Sequence, residues 1–301
     1  DPASPTGVGV YDTPGAARGV AVSGSYAYVA DNTYGLRAVN ITDPAHPVEV
    51  GFYDTPGRAK GVTVVGGYAY VADNDAGLRV VDISLPSSPI EAGSIDTPGF
   101  ASEVVVSGTY AYVADDSGLR VVDISNPTSP AEASSYASFG AAKDVAISGS
   151  NAYVLTLYYG MRVVDISNPN NPLEVGFNNI PETPYDVVVL GSYAYVANSW
   201  FGLRVIDISD PASPVEVGFY DTPGQARSVA ISGSYAYVAD WWEGLRVISI
   251  SNPTSPQEVD FLDTPEYAYK VAVSGSYAYV ADYDFGLRVV DISVPYNPYE
   301  A

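Results

Sequence analysis

The triplet Gly-Leu-Arg, once Gly-Met-Arg, begins at Gly35, Gly77, Gly118, Gly160, Gly202, Gly244 and Gly286, a period of 42 residues with one step of 41 in a chain of 301. A unit that short cannot bury its own apolar faces, so neighbouring copies have to cover one another and the chain is expected to form one body. The repeat also sorts the residues. Those present in every copy build the scaffold, and those that break the pattern are where a function can sit.

Within a copy, apolar residues alternate with period two. In the first, Gly19 to Ser23, Tyr26 to Ala30, Leu36 to Ile41 and Val48 to Tyr53 read as four strands, punctuated by Ser-Gly, Asp-x-x-x-Gly and Asp-Pro-x-x-Pro turns. No stretch carries a helical period. Four strands of about five residues joined by short turns make one propeller blade. The expected fold is all-β, a seven-bladed β-propeller of four-stranded antiparallel blades in a single domain over residues 1–301.

The ends of the chain fit a closed ring. Asp1-Pro2-Ala3-Ser4-Pro5 and Val8-Gly9-Val10-Tyr11 repeat the approach to a fourth strand, as in Asp210-Pro211-Ala212-Ser213-Pro214 and Val217-Gly218-Phe219-Tyr220, while the last copy stops at Asp291-Ile292-Ser293, just after a third. The N-terminal strand is therefore expected to complete the last blade, one strand plus three, and to remove the open sheet edge. A linear solenoid would need polar, atypical terminal copies, whereas the first and last copies here are as apolar as the rest.

Composition narrows the function classes. With 35 acidic against 13 basic residues, the formal charge of −22 repels phosphate backbones, so no nucleic-acid partner is expected. Cysteine is absent and the one histidine, His46, sits in the turn Asp43-Pro44-Ala45-His46-Pro47. Thiolate zinc sites, disulfides and Cys-His catalysis are thereby excluded, and His46 reads as a solvated turn residue. Apolar runs stay far below the roughly 18 residues of a membrane span, so no membrane insertion is expected. No signal-like segment precedes Asp1, and any export signal is expected to have been removed or to lie outside this sequence. An acidic, cysteine-free, lysine-poor chain rich in Ser, Thr, Asn, Gly and Tyr leans towards an extracellular or cell-surface setting.

The core of the repeat, Gly-Leu-Arg-Val-Val-Asp-Ile-Ser at Gly77 to Ser84 and Gly118 to Ser125, resembles the LVIVD-repeat family of bacterial and archaeal surface proteins over the whole chain. The resemblance implies a β-propeller in an exported or surface-anchored protein, usually without an assigned activity. Asn40 and Ser249 depart from the Asp of the family motif.

Several recurring residues look functional but read as scaffold. Asp31, Asp73, Asp115, Asp240 and Asp282 end the second strand, and Arg37, Arg79, Arg120, Arg162, Arg204, Arg246 and Arg288 begin the third across the same hairpin. Their recurrence favours cross-strand pairing and turn formation. The Tyr-Ala-Tyr-Val segments, as at Tyr26 and Tyr28, place both rings on one sheet face, where interblade packing accounts for them. Asp73-Asn74-Asp75-Ala76-Gly77 imitates the start of a calcium loop without its distant bidentate Glu, and Asp282-Tyr283-Asp284 does the same. Neither is expected to hold calcium, and no other cofactor is implied.

The copies differ most in the loop before the repeated Gly. It carries Tyr34 in the first copy, Ala76 and Ser117 in the next two, then Tyr158 and Tyr159, Trp200 and Phe201, Trp241 and Trp242, and Tyr283 and Phe285. Bulky aromatics have no turn role there, and they form an arc along part of one rim. They fit a recognition surface, oligomer contacts included, or a cap folded over the blade tops. A second asymmetry lies at the start of each innermost strand. Arg18-Gly19, Lys60-Gly61, Ser102-Glu103, Lys143-Asp144, Tyr185-Asp186, Arg227-Ser228 and Tyr269-Lys270 align, and Glu103, Asp144 and Asp186 come from consecutive copies. Lys143 and Lys270 are expected to neutralise them. The sharper alternative is a cation site or a general acid/base pair for glycoside hydrolysis.

Three readings follow. The favoured one is a non-catalytic recognition module of an extracellular or cell-surface protein that binds a glycan or a protein through the aromatic arc. The others are a structural unit that self-associates in a surface assembly, and a glycan-active hydrolase or lyase using Glu103, Asp144 and Asp186.

Overall fold

The computed structural model describes residues 5–293, so the Asp1-Pro2-Ala3-Ser4 part of the N-terminal match lies outside the described residues. The chain forms seven four-stranded antiparallel sheets. In the first blade the strands run Gly19–Ser23, Tyr26–Ala30, Leu36–Asn40 and Val48–Tyr53 from the axis outwards. The third ends one residue before Ile41, whose N–H leaves the ladder and donates to the Ser25 carbonyl at 2.9 Å. In blade seven, Lys270–Ser274, Tyr277–Ala281 and Leu287–Asp291 are joined by Thr6–Tyr11 as the outer strand. Thr6 pairs with Asp291 and Tyr11 with Leu287, which is the expected one-plus-three closure.

Innermost strands neighbour one another all the way round, blade seven against blade one included, and so close a ring about a central channel. Apolar side chains are buried between blades rather than within them. Tyr28, Ala30, Leu36 and Ala38 of blade one meet Val62, Ala69, Val71 and Val81 of blade two in one such layer. The other face of blade one, with Ala27, Val29 and Val39, packs on Tyr279, Leu287 and Val289 of blade seven. Alternation along a strand thus feeds two different layers, and each blade depends on both neighbours.

The motif glycine is fixed by geometry. Gly77 sits at φ +72°, and a Cβ there would lie 2.4 Å from the Ile95 carbonyl oxygen and 2.5 Å from the Thr97 nitrogen. The recurring aspartates do more than pair across their own hairpin. Asp31 accepts from Thr13 Oγ1 at 2.7 Å and from the Gly15 N–H at 2.8 Å, both in the loop that arrives from the preceding blade. Asp240 repeats this with Thr222 at 2.6 Å and Gly224 at 2.8 Å. The hairpin arginine stands further off, at 3.9 Å from Asp31 and 3.8 Å from Asp240. For these two aspartates the short bonds therefore staple one blade's arriving loop to the next hairpin tip.

Candidate functional site

The hairpin loops and the loops between blades share one face, joined by bridges such as Asn32 to Ala59 and Trp241 to Ala268. On that face the aromatic residues fall into three groups. Tyr34, Phe201 and Phe285 lie over their own blade's motif arginine, 5.6 Å from Arg37, 5.3 Å from Arg204 and 5.5 Å from Arg288. Tyr159 packs 6.3 Å from Phe139, which itself covers Arg162. These rings cap blade tops. Trp200, Trp242 and Tyr158 instead cover no motif arginine, although Tyr34, Tyr159 and Phe285 are about as exposed as Trp242. The rings of Trp200 and Trp242 come from adjacent blades and meet at 5.2 Å, tilted by 58°.

Trp241 and Tyr283 form the third group, at the channel mouth. Trp241 lies 5.0 Å from Tyr267 and 5.9 Å from Tyr269, and Tyr283 stacks on Tyr269 at 6.3 Å. Both occupy the left-handed backbone region, at φ 56° and 44°, where the equivalent position elsewhere is Asn32, Asn74 or Ser199. Asn tolerates that conformation, and a bulky aromatic does not adopt it without strain.

The two residues that open each innermost strand make two stacked rings. The upper ring is Arg18, Lys60, Ser102, Lys143, Tyr185, Arg227 and Tyr269, and all seven line a mouth cavity of about 220 Å³ whose floor is Glu103 and Lys270. Arg227 is held between Tyr185 at 4.0 Å and Trp241 at 3.8 Å. Arg18 lies 4.8 Å from the Tyr269 ring and donates to its hydroxyl at 2.8 Å. Burial, then the nearby charges of Lys143 and Arg18, push the Lys60 ammonium below its ordinary pKa.

The lower ring closes the channel. Lys270 Nζ reaches across from blade seven to Glu103 of blade three at 2.9 Å and Asp186 of blade five at 2.8 Å. Asp144 Oδ2 accepts from the Val187 N–H, and Asp186 Oδ2 from the Val229 N–H, each at 2.6 Å, so both carboxylates tie consecutive inner strands together. Burial and the adjacent Asp186 push Asp144 well above the carboxylate range. Against its own burial, Lys270 and a hydrogen bond with Asp144 hold Asp186 low. The two carboxylates are thus pushed in opposite directions and titrate as a pair. Against desolvation, Asp186, Glu103 and Asp144 keep Lys270 charged. Beyond this plug the channel is lined by valines such as Val62, Val105, Val187 and Val271.

Lys270 is thus the residue that neutralises the carboxylates. Lys143 points elsewhere, to Asp116 in the shortened blade-three hairpin at 3.2 Å. Among the described residues no group of three or more His, Cys, Asp or Glu is gathered for a metal; Asp73 spends its carboxylate on Thr55 and Gly57. Arg18, Lys60, Tyr185, Arg227 and Tyr269 stand in the aligned pairs of the sequence without being singled out as site residues there, and Tyr267 lies outside those pairs. Their signal was present: outside the seven motif arginines, the chain's remaining cations are Arg18, Arg58, Lys60, Lys143, Arg227 and Lys270, all at or just before an innermost strand.

Fold and site define a closed seven-bladed propeller with a plugged channel and an aromatic cluster on one face. The chain belongs to the LVIVD-repeat family, whose profile matches residues 14–55, 56–97, 98–138, 139–179, 184–222, 223–264 and 265–301. Among solved structures it is similar to the WD40 propeller domain of Doa1 at 13% identity, with 96% of this chain and 97% of that one covered and a TM-score of 0.76. It is also similar to the Cps50 (Swd1) propeller of Myceliophteria thermophila at 11% identity, covering 97% and 100% with a TM-score of 0.77. The computationally designed Ika8 protein follows at 10% identity, covering 95% and 99% with a TM-score of 0.67. At these identities the likeness is one of fold alone. No curated protein matches the chain.

Proposed function

We propose that this propeller is a non-catalytic recognition module of an extracellular or cell-surface protein, binding a glycan or a protein partner through the exposed aromatics of the hairpin face. The observation that carries the reading is the Trp200–Trp242 pair, two large rings in contact at 5.2 Å and about half exposed. Neither ring covers a motif arginine, unlike Tyr34, Phe201 and Phe285. A paired, exposed tryptophan surface stacks on the apolar face of a sugar ring or anchors a protein hot spot. A non-catalytic reading is supported by the commitment of the channel carboxylates to backbone N–H groups and to Lys270.

A second reading, a self-associating unit of a surface assembly, is favoured by Val48, Ile90, Leu173 and Val215, which begin outer strands and stand exposed. One experiment separates the two. The Trp200→Ala/Trp242→Ala variant is compared with the native protein on a glycan array, in pull-downs of surface proteins and by sedimentation. We expect its thermal unfolding to match the native protein's within about 0.5 kcal/mol, as for surface substitutions, and its ligand binding to be lost. Undiminished binding rejects the pair as the site. Native self-association that survives the double substitution, with no glycan or heterologous ligand, moves the assignment to an assembly through the outer strands.

A further inference from the structure

The mouth cavity is basic in a chain of net charge −22. Of the cations that the repeat does not account for, five line it: Arg18, Lys60, Lys143, Arg227 and Lys270. Lys270 is committed to Glu103 and Asp186, and Lys143 to Asp116. Among the described residues no carboxylate lies within ion-pair distance of Arg18, Lys60 or Arg227. Arg18 donates to the Tyr269 hydroxyl, and Arg227 to the Gln225 side-chain oxygen at 2.6 Å and to Tyr185, all of them uncharged partners. The Nε of each arginine is buried without a partner. Three like charges gathered in a concave site repel one another, and the one carboxylate that lines it, Glu103, is spent on Lys270, which leaves room for something anionic to join them.

The surrounding aromatics explain how the arginines are kept ready. Arg227 is clamped between two rings and Arg18 lies against Tyr269 and, at 5.4 Å, Tyr283. Stacking fixes guanidinium groups whose free rotamers would otherwise be lost on binding. It also removes those ring faces from service as sugar platforms. The repeat's turn imposes a left-handed backbone at this position, and Trp241 and Tyr283 place a bulky ring there where other blades have Asn or Ser.

We infer that the channel mouth is a binding site for a small oxyanion group, a phosphate or a carboxylate, received by Arg18, Lys60 and Arg227 above the Lys270 plug. The cavity of about 220 Å³ is smaller than the roughly 300–1,000 Å³ of sites that enclose a whole drug-sized ligand, so it takes a head group. The acidic body around it disfavours a polyanion that would run on across the surface. The site goes beyond the aromatic surface proposed above and stands or falls separately.

Titration calorimetry with inorganic phosphate, glucuronate and glucose at low salt tests it, on the native protein, Lys60→Met and Arg227→Gln. We expect one molecule of phosphate or glucuronate to bind, glucose not to bind, and each variant to weaken binding by at least about tenfold, as for a lost charge-assisted hydrogen bond. Binding of phosphate alone assigns a phosphoryl ligand, and tighter binding of glucuronate an acidic sugar. Lys60→Met also removes a desolvated, unneutralised charge, so its melting temperature is expected to equal or exceed the native value, which separates lost affinity from lost folding. No binding of either anion to the native protein, or binding that survives both substitutions, overturns the inference.

Discussion

The repeated aspartates show how a single residue type serves two demands. Asp240 has no accessible surface and accepts from Thr222 Oγ1 and the Gly224 N–H, yet burial raises its pKa to about 6. Desolvation outweighs the bonds it accepts. Asp240→Ala leaves a buried hydroxyl and a buried N–H without partners, and is expected to cost about 1–3 kcal/mol in a denaturant titration. Asp240→Asn keeps an acceptor and sheds the buried charge, so its loss should be smaller at neutral pH. An Asn variant as damaging as the Ala variant would mean that the carboxylate charge itself holds the loop. At this scale the sequence was informative about recurrence and silent about partners. Asp31 and Arg37 were legible as neighbours across a hairpin, but the shorter bonds of Asp31 run to Thr13 and Gly15, which only the arrangement of blades brings near.

At the scale of strands, the elements were legible because alternation, turn residues and the obligatory Gly all point the same way. The third strand stops one residue short of Ile41, whose N–H bonds the Ser25 carbonyl in the turn. The site was legible in part. The aligned pairs from Arg18-Gly19 to Tyr269-Lys270 were the right residues, but strand alternation sends the two members of each pair to different places, one to the mouth and one to the plug. A sequence shows the pair; which member lines the cavity depends on strand tilt at the axis. The plug also links innermost strands that are not adjacent. Lys270→Met strands Glu103 and Asp186 without their counter-charge, and is expected to destabilise the ring by about 3 kcal/mol, the lower range for breaking a buried pair. Adding Glu103→Gln should recover part of that loss in the same unfolding assay. If Lys270→Met alone is neutral, the plug is not holding the strands.

For the molecule as a whole, charge and pH act together. Burial lifts Asp31 and Asp240 to about 6, and raises Asp73 and Asp282 in the same direction. Between the unfolded value of 3.8 and about 6, the native state binds more protons than the unfolded chain, so stability rises as pH falls through this window. Relief of self-repulsion in a chain of −22 adds to the effect. Below it, turn aspartates such as Asp82, Asp123 and Asp207, held low by hydrogen bonds from the serine two residues on, begin to lose their contribution. Melting temperatures are therefore expected to rise from pH 7 to about pH 5 and to fall in stronger acid. A monotonic decline on acidification from neutrality would show that these carboxylates are not desolvated in the folded protein.

Six of the seven sheets are built from contiguous stretches of chain, and one pairs Thr6–Tyr11 with Leu287–Asp291. Loop-closure entropy and contact order place that pairing last. During synthesis the first strand has to wait, unmatched, while every other blade emerges and folds. How well it is shielded over that interval governs the yield of finished protein rather than the stability of what is finished.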